Sequence, residues 1–180
     1  MEVTIREAKT TDAYDIAYVN VYTWKSTYGD LIDNYLIDKR INNILFRTEK
    51  LREVLGVKNN FLVAEIDGSI VGYITYGKSR MEKYKDSGEI GALYILSEYQ
   101  NKGIGKKLLK EAVIKLQENG FNSMIICSLK GNKARYFYEL MGGIVVDSKT
   151  DTIDNVPLVE DVIYYESFEK ILNENKSCKI

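Results

Sequence analysis

Gln100-Asn101-Lys102-Gly103-Ile104-Gly105-Lys106 is the stretch of this chain best suited to chemistry. It follows a β-type run, Glu89–Leu96. It opens into a segment where Leu108, Leu109, Ala112, Val113 and Leu116 share one helical face. The first amides of a helix lack partners within it and point outward. The helix dipole makes that end mildly positive. Glycines at 103 and 105 remove side chains that would hold a bulky anion away. Lys102 and Lys106 add charge. The expectation is a phosphate or pyrophosphate site. Two other polar residues, read on their residues alone, are a strand-end carboxylate and a tyrosine of the core or rim. Glu89 heads the β-type run, and Tyr138 shares an apolar helical face with Ala134, Phe137 and Met141.

Several phosphate loops can be compared on their residues. A dinucleotide fingerprint needs a third glycine, where this chain has Leu108. A Walker loop needs glycine five residues before its Gly-Lys pair, where this chain has Gln100. The plain alternative is a glycine-softened helix start with solvated lysines.

Composition removes other chemistries. None of the 180 residues is histidine, which excludes a His-containing zinc site, a Ser-His-Asp triad and a His base. The two cysteines, Cys127 and Cys178, cannot hold a metal cluster alone. Cys127 sits in an apolar run and Cys178 in a polar stretch, so free thiols in a reducing cytoplasm are expected rather than a disulfide. Within Ile125-Ile126-Cys127 the thiol reads as a small buried hydrophobe before it reads as a nucleophile. The net charge of −1 gives no pull toward nucleic acid or an anionic membrane. No apolar run approaches the roughly 18 residues that span a bilayer, and the N-terminus does not resemble a signal peptide.

The elements that must position these residues follow from periodicity. Strands are expected at Val3–Ala8, Phe61–Ile66, Ile70–Tyr76, Glu89–Leu96, Met124–Leu129, Ile144–Lys149 and Leu158–Phe168. Four helices are expected. The first carries Ile16, Ala17, Val21, Trp24 and Tyr28 after the capping residues Thr10-Thr11-Asp12. The second runs over Asp38–Leu55 with Ile41, Leu45 and Leu51 inward. The third starts at Ile104 and stops near Gly120, and the fourth runs from Ala134 to Gly142-Gly143. Asp67-Gly68 and Asp154-Asn155-Val156-Pro157 read as turns. The order β-α-α-β-β-β-α-β-α-β-β predicts one α/β (α+β) domain over residues 1–170, with a polar tail over 171–180.

These motifs resemble the GCN5-related N-acetyltransferase (GNAT) family. Gln100-x-x-Gly103-x-Gly105 is similar to its acyl-CoA loop, Q/R-x-x-G-x-G/A, and Leu93-Tyr94-Ile95 to the splayed strand before it. Asn132-x-Ala134-x-x-Phe137-Tyr138-Glu139-x-x-Gly142-Gly143 resembles its second cofactor motif, with the asparagine one residue closer to the alanine than in N-x-x-A. The resemblance runs from Met1 to about Phe168. It implies a mixed, mostly antiparallel sheet of about seven strands flanked by four helices.

It also implies transfer of an acetyl group from acetyl-CoA to a primary amine of a small molecule or peptide, without a metal. The loop Gln100, Asn101, Lys102, Gly103, Ile104, Gly105 and Lys106 would hold the pyrophosphate. Leu93, Tyr94 and Ile95 would flank the pantetheine arm, Asn132 would contact it, and Tyr138 would face the sulfur. Glu89 is the implied base, directly or through water. Trp24 and Tyr28 read as helix packing or as a wall of the acceptor site. Acidic residues near the last hairpin (Asp147, Asp151, Asp154, Glu160, Asp161) would suit a polyamine if they faced the cleft, and otherwise form a solvated hairpin. The alternatives are acetylation of a protein N-terminus or lysine, and a non-catalytic acyl-CoA binder. A homodimer is compatible with the resemblance.

Overall fold

In the computed structural model, which describes residues 2–57 and 60–173, seven strands form one sheet in the order β1-β2-β3-β4-β5-β7-β6. The strands are β1 (Thr4–Glu7), β2 (Phe61–Ile66), β3 (Ser69–Lys78), β4 (Gly88–Ile95), β5 (Met124–Leu129), β6 (Ile144–Ile153) and β7 (Val156–Tyr165). The helices are α1 (Ala13–Tyr28), α2 (Asn34–Asn42), α3 (Ile44–Val57), α4 (Ile104–Glu118), α5 (Ala134–Leu140) and α6 (Glu169–Asn173). The β4–β5 pair is parallel, and β1–β2, β2–β3, β5–β7 and β6–β7 are antiparallel. The mixed, mostly antiparallel sheet is the one expected. No helix among the described residues is long and apolar enough to cross a membrane.

The chain forms two compact units. The first lies within Met1–Thr75 and Ala92–Glu111, the second within Tyr76–Gly91 and Ala112–Ile180. In the first, Ala8, Ala13, Ile16, Val19, Leu55, Val63, Ile70 and Tyr73 make a core that Tyr94 and Leu96 join. The expected inward face of α1 is buried at all five positions. Asp12 fastens its start: the carboxylate accepts from the Lys9 amide at 2.7 Å and pairs with Arg6 at 2.7 Å.

The single helix expected over Asp38–Leu55 is two. Asp33 starts α2 early by accepting the Tyr35 amide at 2.8 Å, as an N-cap does. It ends at Asn42, where the Asn43 backbone amide caps it by donating to the Lys39 carbonyl at 3.1 Å. The inward face differs too. Thr48 and Leu55 are buried, whereas Leu45 is 70% exposed.

In the second unit, β6 and β7 join through Asp154 and Asn155 alone, both at positive φ (50° and 65°), a two-residue hairpin turn. Val156 and Pro157 therefore belong to β7. Pro157 pairs with Thr152 beyond the end of the β5 ladder, where β7 has no second neighbour to donate to. β7 ends at Tyr165, and α6 buries Ile171, so helix replaces the tail expected from residue 171 as far as Asn173. Residues 174–180, including Cys178, lie outside the described residues. With the split and α6, the described residues form six α-helices instead of four.

Candidate active site

The first unit holds the glycine loop. Asn101 (φ 58°) and Gly103 (φ 80°) both take the left-handed conformation, and this double turn aims the chain into α4. A Cβ placed on Gly103 would meet nothing within 4 Å, so the space over the loop is open. The α4 ladder begins with the Lys107 amide donating to the Gly103 carbonyl at 3.2 Å. The amides ahead of it have no acceptor inside the helix. Asn101, Lys102, Gly103 and Lys106 are exposed, whereas Ile104 is buried and anchors the helix to the core. Gln100 braces the loop: its side-chain amide donates to the Ile95 carbonyl at 2.8 Å. This arrangement fits a pyrophosphate.

Leu93, Tyr94 and Ile95 are half-buried on β4. The parallel pairing with β5 covers Gly88–Ile90 only, so Gly91–Ile95 lies outside the β5 ladder. The Tyr94 hydroxyl accepts from the Trp24 indole at 3.0 Å. Trp24 and Tyr28 are buried and meet edge to face, ring centres 5.0 Å apart. The sequence reads both as helix packing or as a wall of the acceptor site, and misses what covers Trp24. The Arg40 guanidinium lies 3.5 Å from its ring centre.

The second unit holds Glu89, Asn132 and Tyr138. Glu89 is buried, and its carboxylate accepts from the Arg80 backbone amide at 2.8 Å and from two guanidinium nitrogens of Arg80. Arg80 is pushed further above its ordinary range by those bonds. This partner lies nine residues back in a segment that reads as a polar loop, so no periodicity announces it.

Asn132 is buried, and its side-chain oxygen accepts the Ala134 amide at 2.9 Å, which sets the start of α5. Its amide NH2 has two donors of its own. On β5 the Ser128 hydroxyl is buried without a hydrogen-bond partner, a second polar group suited to an amide-bearing ligand.

Tyr138 is buried on α5. Its carbonyl accepts from the Gly143 amide at 3.0 Å and the Tyr165 hydroxyl at 2.9 Å. With the Gly142 amide donating to Glu139, this is a Schellman end with Gly142 at φ 102°. Gly143 is required for a different reason. A Cβ there would lie 2.5 Å from Ile163 and 2.8 Å from Tyr165. Gly143→Ala is expected to lower the melting temperature by about 3–10 °C, because overpacking costs about 1–3 kcal/mol in a chain of this size. Differential scanning calorimetry reads it.

Cys127 is half-buried with its sulfur 4.0 Å from that of Met81. Burial pushes its thiol up to about 11. At neutral pH it carries little thiolate, which disfavours an acyl-cysteine route.

The acidic residues of the last hairpin are largely neutralised. Asp147 pairs with Lys83 at 2.6 Å, Glu160 with Lys149 at 3.0 Å and Asp161 with Arg135 at 3.2 Å, while Asp151 lies 3.9 Å from Lys149.

Residues 23–142 match the family model described as Acetyltransferase (GNAT) family. The chain is 36% identical over 139 residues to the uncharacterized N-acetyltransferase YuaI of Bacillus subtilis (strain 168), covering 76% of this chain and 78% of that protein. It is 25% identical over 158 residues to a spermidine N(1)-acetyltransferase of Thermoplasma acidophilum, covering 86% and 94%. The crystal structure of the PaiA N-acetyltransferase of Thermoplasma acidophilum, in complex with coenzyme A, shares the fold. Its TM-score is 0.68 at 22% identity, over 89% of this chain and 98% of that one. This chain belongs to the acetyltransferase (GNAT) family, enzymes that move an acetyl group from acetyl-CoA to an amine.

Proposed function

We propose that this protein acetylates a primary amine of a small molecule or peptide, with the Gln100–Lys106 loop as its pyrophosphate cradle. The observation that carries this reading is the exposed double left-handed turn at Asn101 and Gly103, which feeds the start of α4. Acetyl-CoA, when bound, supplies an activated thioester. The loop amides hold the phosphates, and Lys102 and Lys106 add charge. The backbone of Leu93, Tyr94 and Ile95 takes the pantetheine arm as an added strand, and Asn132 donates to it. Tyr138 donates a hydrogen bond to the departing sulfur. Trp24 and Tyr28 back the acceptor.

Glu89 takes the amine proton through water after attack on the thioester has acidified the nitrogen. An ordinary carboxylate, near 4.3, lies about 6 units below an alkylammonium near 10.4, a gap of roughly 8 kcal/mol that abstraction from the free ammonium would have to cross. Arg80 fixes the carboxylate with three hydrogen bonds, leaving about one of its four lone-pair sites for that water. Glu89→Gln should lower kcat roughly 10²-fold across the pH range in which the parent is active. A variant with a parental pH–rate profile would remove Glu89 from proton transfer.

The test of the whole reading is thiol release from acetyl-CoA over a panel of amino acids, monoamines, polyamines, aminoglycosides and short peptides. Binding of acetyl-CoA with no thiol release from any amine would leave a non-catalytic binder. A polyamine acceptor, the kind named for the Thermoplasma relative, draws no support from the paired acids of the β6–β7 hairpin.

The same reading includes a cytoplasmic location, supported by the free thiol of Cys127. It also includes a homodimer, supported by exposed Ile144 and Val146 on β6, an edge strand of the sheet. Light scattering on the eluting protein reads the oligomeric state.

A further inference from the structure

Six arginines occur in the sequence, and four of them are paired with carboxylates. Arg6 meets Asp12 and Glu65, Arg52 meets Glu49, Arg80 meets Glu89, and Arg135 meets Glu139 and Asp161. Arg40 and Arg47 form no ion pair among the described residues. Both are half-buried in the first unit, Arg40 on α2 and Arg47 in the first turn of α3.

Arg40 is held in place by neutral groups. Its guanidinium stacks 3.5 Å over the Trp24 ring and donates to the Asn20 side-chain oxygen at 2.7 Å. Asn20 in turn donates to the Tyr73 hydroxyl at 2.7 Å. Burial pushes the Tyr73 hydroxyl up, so this phenol stays neutral and supplies no negative charge. Burial and the nearby Arg47 push Arg40 down to about 10, and burial lowers Arg47 as well. Both still carry their charge at neutral pH. Stacking on Trp24 explains how Arg40 is oriented. It does not explain two neighbouring half-buried cations with no acid paired to them among the described residues, an arrangement that costs stability on both counts. An anion brought by a ligand would relieve it, and the guanidinium fork matches a carboxylate.

We propose that Arg40 and Arg47 bind the carboxylate of the amine acceptor, so that the acceptor is an amino acid or another small amine bearing a carboxylate. The proposal rests on the amine-transfer reading above, with Trp24 at the acceptor side. A polyamine is disfavoured by the same pair, since each protonated nitrogen would meet fixed positive charge.

Trp24 is the single tryptophan of the chain and lies against Arg40, so its emission reports on this place. The experiment titrates the intact protein with L-amino acids, their carboxamides and O-phosphoethanolamine, following Trp24 fluorescence with calorimetry in parallel. Thiol release is measured with the same compounds. The expected result is saturable binding of at least one amino acid, with its carboxamide at least 10-fold weaker. Arg47→Gln should raise the KM for that amino acid at least 10-fold and bring the acid-to-amide ratio of kcat/KM toward one. Arg47→Lys should restore part of the preference. If Arg47→Gln does not fold, the acid-to-amide comparison on the parent protein still decides.

Carboxamides that bind and react as well as their acids would overturn the proposal, as would the absence of binding by any amino acid. Preference for O-phosphoethanolamine over every amino acid would also overturn it, by making the anion a phosphate. Amino-acid binding with the expected acid preference, but no thiol release from any amine, would uphold the subsite and reject the transferase reading.

Discussion

Gly103→Glu is expected to weaken acetyl-CoA binding on the order of 10²-fold while the protein stays folded. Two effects add. A side chain would enter the open space over the loop, where a Cβ on Gly103 meets no protein atom. Its carboxylate would then sit at the helix end that favours an anion and compete with the phosphates for it, an effect worth up to about 2 kcal/mol before direct charge repulsion is counted. The φ of 80° at Gly103 adds about 1 kcal/mol of backbone strain for a residue with a Cβ. Gly103→Asn separates these causes. Asparagine tolerates the left-handed region and carries no charge, so it should keep most of the affinity. Calorimetry with coenzyme A measures both variants. Parental affinity in Gly103→Glu would eliminate this loop as the phosphate site.

Tyr138→Phe is expected to lower kcat by roughly 10- to 10³-fold with fold and acetyl-CoA affinity retained. The tertiary structure gives the reason for the retained fold. The backbone of Tyr138 holds the end of α5, since its carbonyl takes the Gly143 amide and the Tyr165 hydroxyl. The substitution leaves those bonds and the buried ring in place. Only the hydroxyl donor is lost. Full proton transfer from a free phenol near 10 to a thiolate of a thiol near 8.5 is uphill by about 1.5 units, or roughly 2 kcal/mol. A hydrogen bond that strengthens as charge develops on sulfur needs no such transfer, and it favours the transition state over the ground state. The loss should therefore shrink with an acyl donor whose thiol is more acidic. Equal loss with both donors, or undiminished turnover, would remove Tyr138 from leaving-group assistance.

Local features are legible in the residues alone. The glycine loop, its lysines and the helix after it lie within a few residues of one another, so spacing alone raises the expectation of an anion site. Strand order along the chain, the Asp67-Gly68 turn and the buried face of α1 follow from periodicities of 2 and 3.6 and from turn residues. The Asp154-Asn155 turn and the α2–α3 break carry local signals too, but with a margin of one or two residues, and Pro157 and Asn42-Asn43 are each compatible with more than one reading. Which charges meet is set by contacts between distant segments. Arg80 reaches Glu89 across nine residues, Trp24 reaches Tyr94 across seventy, and Arg40 settles on Trp24 from another helix. Periodicity names the face of an element but not the group it faces. A count of 25 basic and 26 acidic residues shows that the charges balance, and only the folded chain shows that Arg40 and Arg47 stay out of the ion pairs among the described residues.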